Sequence, residues 1–267
     1  MEELVSVIMP VYNGSEFLED SIESVLQQTY SNLELLITDD NSSDQKVLDI
    51  LRNYEKKDKR VRVFYLKENM GAGHSRNKCI EQAKGRYIAF CDSDDRWMPE
   101  KLERQIKFME ATHSRLTYSS YITCDENNEE TGIYIAPEKL TYRDILRDNK
   151  VGCLTAVYDV KVLGKVFYMP TIRKRQDWGL FMGILKQCKV AYGIQDPLAY
   201  YRIRKNSISR SKLRLLNYNA KVYQHVLGFS VLKSYFYLLT LFLPTYTRKV
   251  IQRKKDSERF MKQKKKD

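Results

Sequence analysis

The first hundred residues alternate between short apolar runs and segments with helical spacing, and this alternation restricts the fold more than any other feature of the chain. Four runs rich in β-branched and aromatic residues predict strands at residues 5–10, 33–38, 61–66 and 87–91. Near-continuously apolar strands that alternate with helices are typical of a mostly parallel sheet covered by helices on both faces. The sequence therefore predicts an α/β fold of the Rossmann-like type.

Local signals predict where two of the intervening helices begin and end. Ser42 and Ser43 are candidate N-caps for the helix that follows the second strand. Gly85 follows a helical pattern over residues 75–83 and is placed where glycine commonly ends a helix.

Polar and aromatic side chains follow each of the four predicted strands. The set consists of Tyr12, Asn13, Asp40, Asn69, Asp92 and Asp94. Ligands of parallel sheets bind beyond the carboxyl ends of the strands, so we expect these residues to lie at one ligand-binding edge. The chain has no G-x-G-x-x-G or P-loop pattern, which argues against a dinucleotide site or a P-loop phosphate site.

Three carboxylates lie within four residues at the exit of the fourth strand, in the stretch Asp-Ser-Asp-Asp at residues 92–95. Such a density of negative charge favours a bound cation, and hard oxygen ligands suit Mg²⁺ or Mn²⁺. The alternative is a solvated acidic turn that caps the helix predicted over residues 100–111.

Taken together, these segments resemble the family 2 glycosyltransferases with a GT-A fold. The resemblance is carried by residues 5–13, 24–30, 39–44, 75–77, 85–88 and 92–95, and it is nearly continuous over residues 4–111. It implies a GT-A domain over residues 1–212. This domain would have a nucleotide-binding half at 1–111 and an acceptor-binding half at 112–212, followed by a C-terminal helical extension at 213–267.

The resemblance also implies roles for the residues at the strand exits. Tyr12 would stack on a nucleotide base, usually uracil, and Asp40 would hydrogen-bond the edge of that base. Arg76 matches a position that helps to hold the nucleotide. The alternatives are a turn aromatic for Tyr12, a helix cap for Asp40 and a surface charge for Arg76. Three further residues of the matching motifs complete the predicted nucleotide-sugar contacts: Pro10, Asn13 and Ser93.

Asp92 and Asp94 match the DxD motif of the family. In that motif the last Asp coordinates the metal that bridges the diphosphate, and the first lies near the ribose. We therefore expect Mn²⁺ or Mg²⁺ as the cofactor, with Asp94 and Asp92 on the metal side. A divalent cation stabilises the negative charge that builds on a diphosphate leaving group.

The sequence Gln176-Asp177-Trp178 begins a helical pattern in the second half of the chain. An Asp at this position is most often a cap or a partner of the helix dipole. The segment also matches the family motif in which this Asp is the catalytic base, so the resemblance implies that Asp177 deprotonates the acceptor hydroxyl. The implied outcome is inversion in a single displacement, with Gln176 and Trp178 on the acceptor side.

Residues 200–209 resemble a second family segment, in which a histidine is common at the position of Arg204. A guanidinium cannot replace histidine as a metal ligand, but it can pair with phosphate oxygens. We therefore predict that Arg202 and Arg204 contact the nucleotide sugar, and the requirement for a metal is less firmly implied. The alternative is a solvated basic loop.

The C-terminal extension combines an apolar, aromatic run at 229–243 with a basic end. Residues 248–267 carry ten Lys or Arg and three Asp or Glu, a net charge of +7 out of the +12 of the whole chain. The apolar run is too short to span a bilayer, and this composition predicts a segment lying on an anionic membrane surface. The alternatives are a packed core helix with a solvated tail, or a helix for a protein partner. No nucleic-acid motif accompanies the basic run, so we expect no nucleic-acid partner.

Five scattered cysteines, none at CxxC spacing, predict a reducing compartment. The acidic start of the chain runs directly into a strand and predicts no signal peptide. Together with the extension, these features predict a cytoplasmic protein, peripheral on the inner face of the cell membrane.

The function implied by the resemblance and the extension is an inverting, metal-dependent hexosyltransferase. The donor would be a nucleotide sugar of the UDP type carrying glucose, galactose or an N-acetylhexosamine. The acceptor would be a saccharide linked to polyprenyl diphosphate, in cell-surface polysaccharide biosynthesis.

Two other functions fit parts of the pattern. A nucleotidyl enzyme could share the sheet and the acidic site, but it needs a basic loop near the N-terminus, and residues 10–16 contain no Lys or Arg. A catalytically inactive nucleotide-sugar-binding or scaffold module is the other alternative. The joint presence of Asp92, Asp94 and Asp177 argues against this alternative.

Overall fold

The computed structural model describes residues 2–204 and 212–266, apart from the side chains of residues 212–216. Its strands are β1 (Val5–Val11), β2 (Leu33–Asp39), β3 (Val61–Tyr65), β4 (Tyr87–Phe90), β5 (Arg96–Trp97), β6 (Leu116–Cys124), β7 (Glu130–Tyr134), β8 (Lys139–Thr141), β9 (Val157–Asp159) and β10 (Val190–Arg202). Its helices are α1 (Leu18–Leu26), α2 (Gln45–Lys57), α3 (Ala72–Gln82), α4 (Lys101–Thr112), α5 (Tyr142–Arg147), α6 (Val160–Leu163), α7 (Gln176–Cys188), α8 (Lys212–Leu227), α9 (Val231–Tyr237) and α10 (Leu243–Lys264), with a 3₁₀ turn at Cys153–Thr155 and a π-helical segment at Leu238–Phe242.

The strands form one sheet in the order β3-β2-β1-β4-β9-β6-β10-β5, with β7 added to β6 and β8 added to β10. β1 to β4 pair in parallel, as the alternation of strands and helices predicts. Beyond β4 the sheet becomes mixed: β9 runs antiparallel to both of its neighbours, and β6 pairs in parallel with β10. The first half of the chain therefore has the predicted doubly covered parallel sheet, and the strands of the second half extend that sheet beyond β4.

Helices cover both faces of the sheet. On one face, α1, α2 and α4 pack against β1 and β2 through an apolar cluster that includes Ile22, Leu51 and Ile106. On the other face, α3, α7 and the C-terminal helices bury a second cluster that includes Ile80, Phe181 and Tyr223. Because both faces are covered, the carboxyl edge of the strands remains as the open side of the parallel half.

The cap of α2 and the end of α3 both differ from the prediction. The cap of α2 is Asp44, whose side chain accepts from the backbone N–H of Lys46, and not one of the preceding serines. α3 ends before Gly85, where a Cβ would lie 2.6 Å from the backbone nitrogen of Ser6. Gly85 is therefore required for the close approach of the chain to β1 and not for ending the helix.

The second half contains a hairpin, in which β6 pairs antiparallel with β7. Before β9, the chain makes the 3₁₀ turn Cys153–Thr155. The 3₁₀ turn packs its buried Leu154 and Thr155 inward before the strand begins.

The C-terminal extension packs on the rest of the chain. Phe242, at the end of the π-helical segment, contacts Trp178 with a ring separation of 5.6 Å. Further along, Ser257 of α10 exchanges two hydrogen bonds with the backbone of Ile133 in β7, at 3.0 and 3.1 Å. Among the described helices, none alone is long and apolar enough to cross a membrane, although the bent pair 217–227 and 231–264 passes on length and composition.

Candidate active site

The acidic turn after β4 presents two of its carboxylates to the open edge of the sheet. Asp92 forms an ion pair with Arg76 of α3. Asp94 lies 3.3 Å from the Nε atom of Arg204, which follows β10. Both aspartate side chains are about one-third exposed, at 32% and 30%. The two carboxylates thus have a cationic partner each and a remaining face toward solvent.

The electrostatics of this turn favour an added cation. Burial, followed by the charge of Asp92, raises the pKa of Asp94, and Arg204 opposes this shift. Burial and the charges of Asp94 and Asp92 raise the pKa of Asp95 well above its ordinary value. Because the carboxyl groups of one turn repel each other, a positive charge held beside them would stabilise their ionised forms.

Arg202 supports the turn from inside the protein. Its backbone N–H donates to Asp95 Oδ1 and its Nε atom donates to the carbonyl oxygen of Asp94, both at 2.9 Å. The guanidinium also lies 4.0 Å from the ring centroid of Phe17 and donates to Asn128 Oδ1 at 2.7 Å. With 3% of its surface exposed, Arg202 supports the turn from within the protein, and its predicted contact with the nucleotide sugar stays a prediction.

Arg204 also lies close to the loop that follows β1. A Cβ at Gly14, in the loop after β1, would lie 3.4 Å from its Nη1 atom. Arg204 therefore stands between the acidic turn and the loop at the first strand exit. Ser93 is half-buried in the same turn, and residues 205–209 of the matching segment lie outside the described residues.

The exits of β1 and β2 lie at the same open edge of the sheet and carry several of the predicted site residues. Tyr12 is 55% exposed, immediately after β1. Asn13 has φ 51°, and its side-chain oxygen accepts from the backbone N–H groups of Ser43 and Asp44 at 3.0 and 3.1 Å. Asn13 therefore ties the loop after β1 to the loop after β2. Pro10, by contrast, is buried within β1 and pairs with Thr38.

Asp40 is buried and organises the loop after β3. Its two carboxylate oxygens accept from the backbone N–H groups of Met70 and Gly71, both at 2.8 Å. Gly71 has φ 87°, a conformation that glycine adopts without strain. Each carboxylate oxygen has a second lone pair, so Asp40 retains acceptor capacity for a base edge.

Arg76 pairs with the acidic turn, and its pKa also responds to the charge of Asp177, the predicted catalytic base. Burial lowers the pKa of Arg76, but the negative charges of Asp92 and, more weakly, Asp177 raise it to a net value above the ordinary one. Asp177 lies in the first turn of α7, a helix contributed by the second half of the chain. Asp92 therefore pairs directly with a buried guanidinium whose pKa the charge of Asp177, 85 positions further along the sequence, also raises.

Asn149, which none of the sequence motifs includes, orients Asp177. The Nδ2 atom of Asn149 donates to Asp177 Oδ2 at 2.7 Å, and its Oδ1 atom accepts from the backbone N–H of Val151 at 3.1 Å. These two bonds fix the amide and leave Oδ1 of Asp177 for another partner. No local motif marks Asn149, because its partner is 28 residues away.

The two neighbours of Asp177 point elsewhere. Trp178 is fully buried, donates from Nε1 to the carbonyl oxygen of Ile145 at 2.6 Å and packs against Tyr223 of α8. Its predicted place on the acceptor side is therefore corrected to the core. Gln176 is 8% exposed, and its side chain packs against Gly73 at the start of α3, where a Cβ would come within 2.8 Å.

The donor set fits a metal that is shared with a substrate and not one held by the protein alone. Among the described residues, no group of three or more His, Cys, Asp or Glu is arranged to hold a metal ion. Asp92 and Asp94 offer one uncommitted oxygen each beyond their pairs with Arg76 and Arg204. Mg²⁺ and related ions are often bound by one or two carboxylates, with phosphate oxygens and water completing the shell.

Two solved structures share this architecture. TarS of S. aureus (residues 1–349, in complex with UDP-GlcNAc) has a TM-score of 0.66 at 22% identity, over 88% of this chain and 70% of that chain. The mannosyltransferase PcManGT of Pyrobaculum calidifontis, in complex with GDP-Man and Mn²⁺, has a TM-score of 0.62 at 17% identity, over 88% and 69%. At these identities the likeness shows the fold alone. The fold is that of the GT-A class of glycosyltransferases, as predicted.

The sequence comparisons identify the family within that class. The model of glycosyl transferase family 2 matches residues 6–162, more than half of the chain, and the chain belongs to this family. TuaG of Bacillus subtilis (strain 168), named for teichuronic acid biosynthesis, is 42% identical over 84% of this chain and 88% of its own length. WfgD of Escherichia coli, a UDP-Glc:alpha-D-GlcNAc-diphosphoundecaprenol beta-1,3-glucosyltransferase, is 39% identical over 80% and 82%. The predicted glycosyltransferase family is thereby confirmed.

Proposed function

We propose that the chain transfers a hexose from a nucleotide sugar to a saccharide hydroxyl, with inversion at the anomeric carbon and Asp177 as the base. The observation that carries this proposal is the convergence on Arg76. Arg76 pairs with Asp92 of the acidic turn and lies within electrostatic reach of Asp177 on α7. A donor held at the turn would therefore present its sugar toward Asp177.

The chemistry is a single displacement. The acceptor oxygen forms a bond to the anomeric carbon while the bond from that carbon to the diphosphate oxygen breaks, and the electron pair leaves with the diphosphate. The acceptor proton passes to Asp177, which Asn149 holds through its other carboxylate oxygen. Because attack and departure occur on opposite faces, the configuration inverts.

Several residues of the chain would bind the donor. Tyr12 supplies an exposed ring for stacking on the base, and Asp40 supplies an acceptor for its edge. Arg204 lies between the acidic turn and Gly14, where its guanidinium would pair with phosphate oxygens. Mn²⁺ or Mg²⁺, when held by Asp92 and Asp94 together with the diphosphate, would supply positive charge to the leaving group.

The named activity of WfgD supports a UDP-linked hexose as the donor, glucose, galactose or an N-acetylhexosamine, and a saccharide on polyprenyl diphosphate as the acceptor. The names of WfgD and TuaG, a teichuronic acid biosynthesis protein, likewise support a role in cell-surface polysaccharide biosynthesis.

The C-terminal extension (residues 213–267, with 1–212 as the catalytic domain) would hold the protein at the membrane that carries such an acceptor. One side of α9 and the π-helical segment exposes the apolar side chains Val231, Leu232, Tyr235, Phe236 and Leu239. Arg248, Lys255 and Arg259 are exposed on the following helix. An apolar face next to basic side chains fits an anionic membrane surface, here the cytoplasmic face of the cell membrane.

The proposal is tested by incubating the protein with a panel of nucleotide sugars and lipid-linked saccharide extracts, with Mn²⁺, Mg²⁺ or EDTA. Release of nucleoside diphosphate and the anomeric configuration of the product are measured. We expect turnover of one UDP-hexose, an inverted product, and loss of turnover in EDTA and in Asp94→Ala. Asp49→Asn, a surface change on α2, serves as the control. Donor binding without turnover under every acceptor condition would instead indicate the inactive binding module.

A further inference from the structure

The geometry points to Lys249 of α10 as a positioning residue for the catalytic base, through the loop that carries Asn149. This inference rests on the proposed role of Asp177. Lys249 comes from the C-terminal extension, 72 positions after Asp177 in the sequence. The extension would then serve the chemistry as well as the membrane.

A continuous series of contacts connects the two residues. The Nζ atom of Lys249 donates to the backbone carbonyl oxygen of Asn149 at 2.9 Å and forms an ion pair with Asp148. The side chain of Asn149 in turn donates to Asp177 Oδ2 at 2.7 Å. One ammonium therefore holds both residues of the loop whose amide orients the base.

The helix that carries Lys249 is itself fixed to the sheet. Ser257 forms two hydrogen bonds with the backbone of Ile133 in β7. Lys264, the last residue of α10, lies 2.7 Å from Glu130 at the start of the same strand. Lys249 is therefore presented from a braced helix and not from a free tail.

Asp148 is buried, with 1% of its surface exposed, and it requires a cationic partner. Burial raises the pKa of Asp148, and Lys249, then Arg175 and Lys150, oppose this shift by their charges. Arg175 directly precedes α7 and has φ 66°. The charge of the residue that directly precedes α7 therefore acts on the same buried carboxylate that Lys249 pairs with.

The test compares steady-state kinetics of Lys249→Met with those of Lys249→Arg and Lys254→Met. Loss of the ammonium should lower kcat about tenfold, because a small displacement of a catalytic group is costly, while the KM for the nucleotide sugar stays unchanged. Lys249→Arg should recover most of kcat. Lys254 lies on the same helix with its side chain 80% exposed, so Lys254→Met removes the same charge and should keep both constants.

A double variant, Asp148→Asn with Lys249→Met, removes the unpaired buried carboxylate and decides the result if the single variant fails to fold. If the double variant unfolds at the same temperature as the wild type, its kcat can be interpreted. A reduced kcat at constant KM supports positioning by Lys249, and a wild-type kcat overturns the proposed positioning role. Asp177→Asn is measured in parallel. If Asp177→Asn keeps full activity, the proposed base is wrong. If it is inactive while both Lys249 variants are fully active, only the positioning role is wrong.

Discussion

Tyr12 shows how much one side chain at a strand exit can contribute. It follows β1 with 55% of its surface exposed, so a large part of its ring is open to a ligand. We predict that Tyr12→Ala raises the KM for the nucleotide sugar roughly tenfold, since base stacking on an aromatic ring contributes about 1–3 kcal/mol, and leaves kcat within about twofold. Tyr12→Phe keeps the stacking face and should behave like the wild type. Equal losses in both variants would assign the effect to the hydroxyl group.

Lys101 is a buried charge that the catalytic account does not use. Its Nζ atom lies 3.8 Å from the ring centroid of Trp97, with no hydrogen-bond partner, and burial lowers its pKa from 10.5 to about 7. A lysine with a lowered pKa in the folded state destabilises that state most below pH 7. The cost then declines as the pH rises toward 10.5, because the folded state has already lost the proton that the unfolded state still holds.

We therefore predict that Lys101→Met raises the free energy of unfolding by roughly 3 kcal/mol near pH 6 and by clearly less near pH 9. Denaturant unfolding at the two pH values measures this difference. Lys107→Met on the exposed side of the same helix should show little change at either pH. A gain for Lys101→Met that is equal at both values would contradict a neutral buried amine.

At the scale of elements, α7 carries two functions on two faces. Asp177 and Trp178 are adjacent, so their side chains leave the helix about 100° apart. Asp177 meets Asn149, and Trp178 packs into the core formed with Tyr223 and Phe242. α7 is thereby held in place by the C-terminal helices through the residue next to the proposed base.

The exposed apolar face of α9 is predicted to bind the membrane surface. Replacing Leu232 and Phe236 by Ser should reduce binding to anionic lipid vesicles at least about fivefold, because the two side chains are 86% and 62% exposed and would enter the interface. Cosedimentation with these vesicles at low and high salt measures the fraction of protein bound. Val162→Ser removes an exposed apolar side chain on α6 and should bind like the wild type. Unchanged binding of the double variant would contradict membrane association through α9.

At the scale of the whole molecule, the sequence predicts the parts of the fold that local pattern determines. β1 to β4 are apolar runs of four to seven residues separated by amphipathic helices, and they occur where the pattern places them. β5, β8 and β9 are two or three residues long and exist because β10, β4 and β6 pair with them. No local periodicity marks strands of that length.

The residues of the candidate site also differ in whether the sequence predicts their positions. Asp92, Asp94 and Tyr12 follow strands, so their place at the open edge could be predicted from the strand order. Asn149 and Lys249 could not, since their contacts join positions 28 and 100 residues apart. Trp178 and Arg202 were predicted from motif position, but that position does not determine whether a side chain points into the site or into the protein.

The central claim is that Asp177 is the base for a transfer whose donor is held at the acidic turn. The most direct measurement is the steady-state kinetics of Asp177→Asn with the identified donor and acceptor, beside Asp49→Asn. We predict a fall in kcat of at least about 100-fold with the KM for the donor within about twofold, because the amide keeps the shape of the site but accepts no proton. A kcat for Asp177→Asn within about threefold of the wild type would contradict the account.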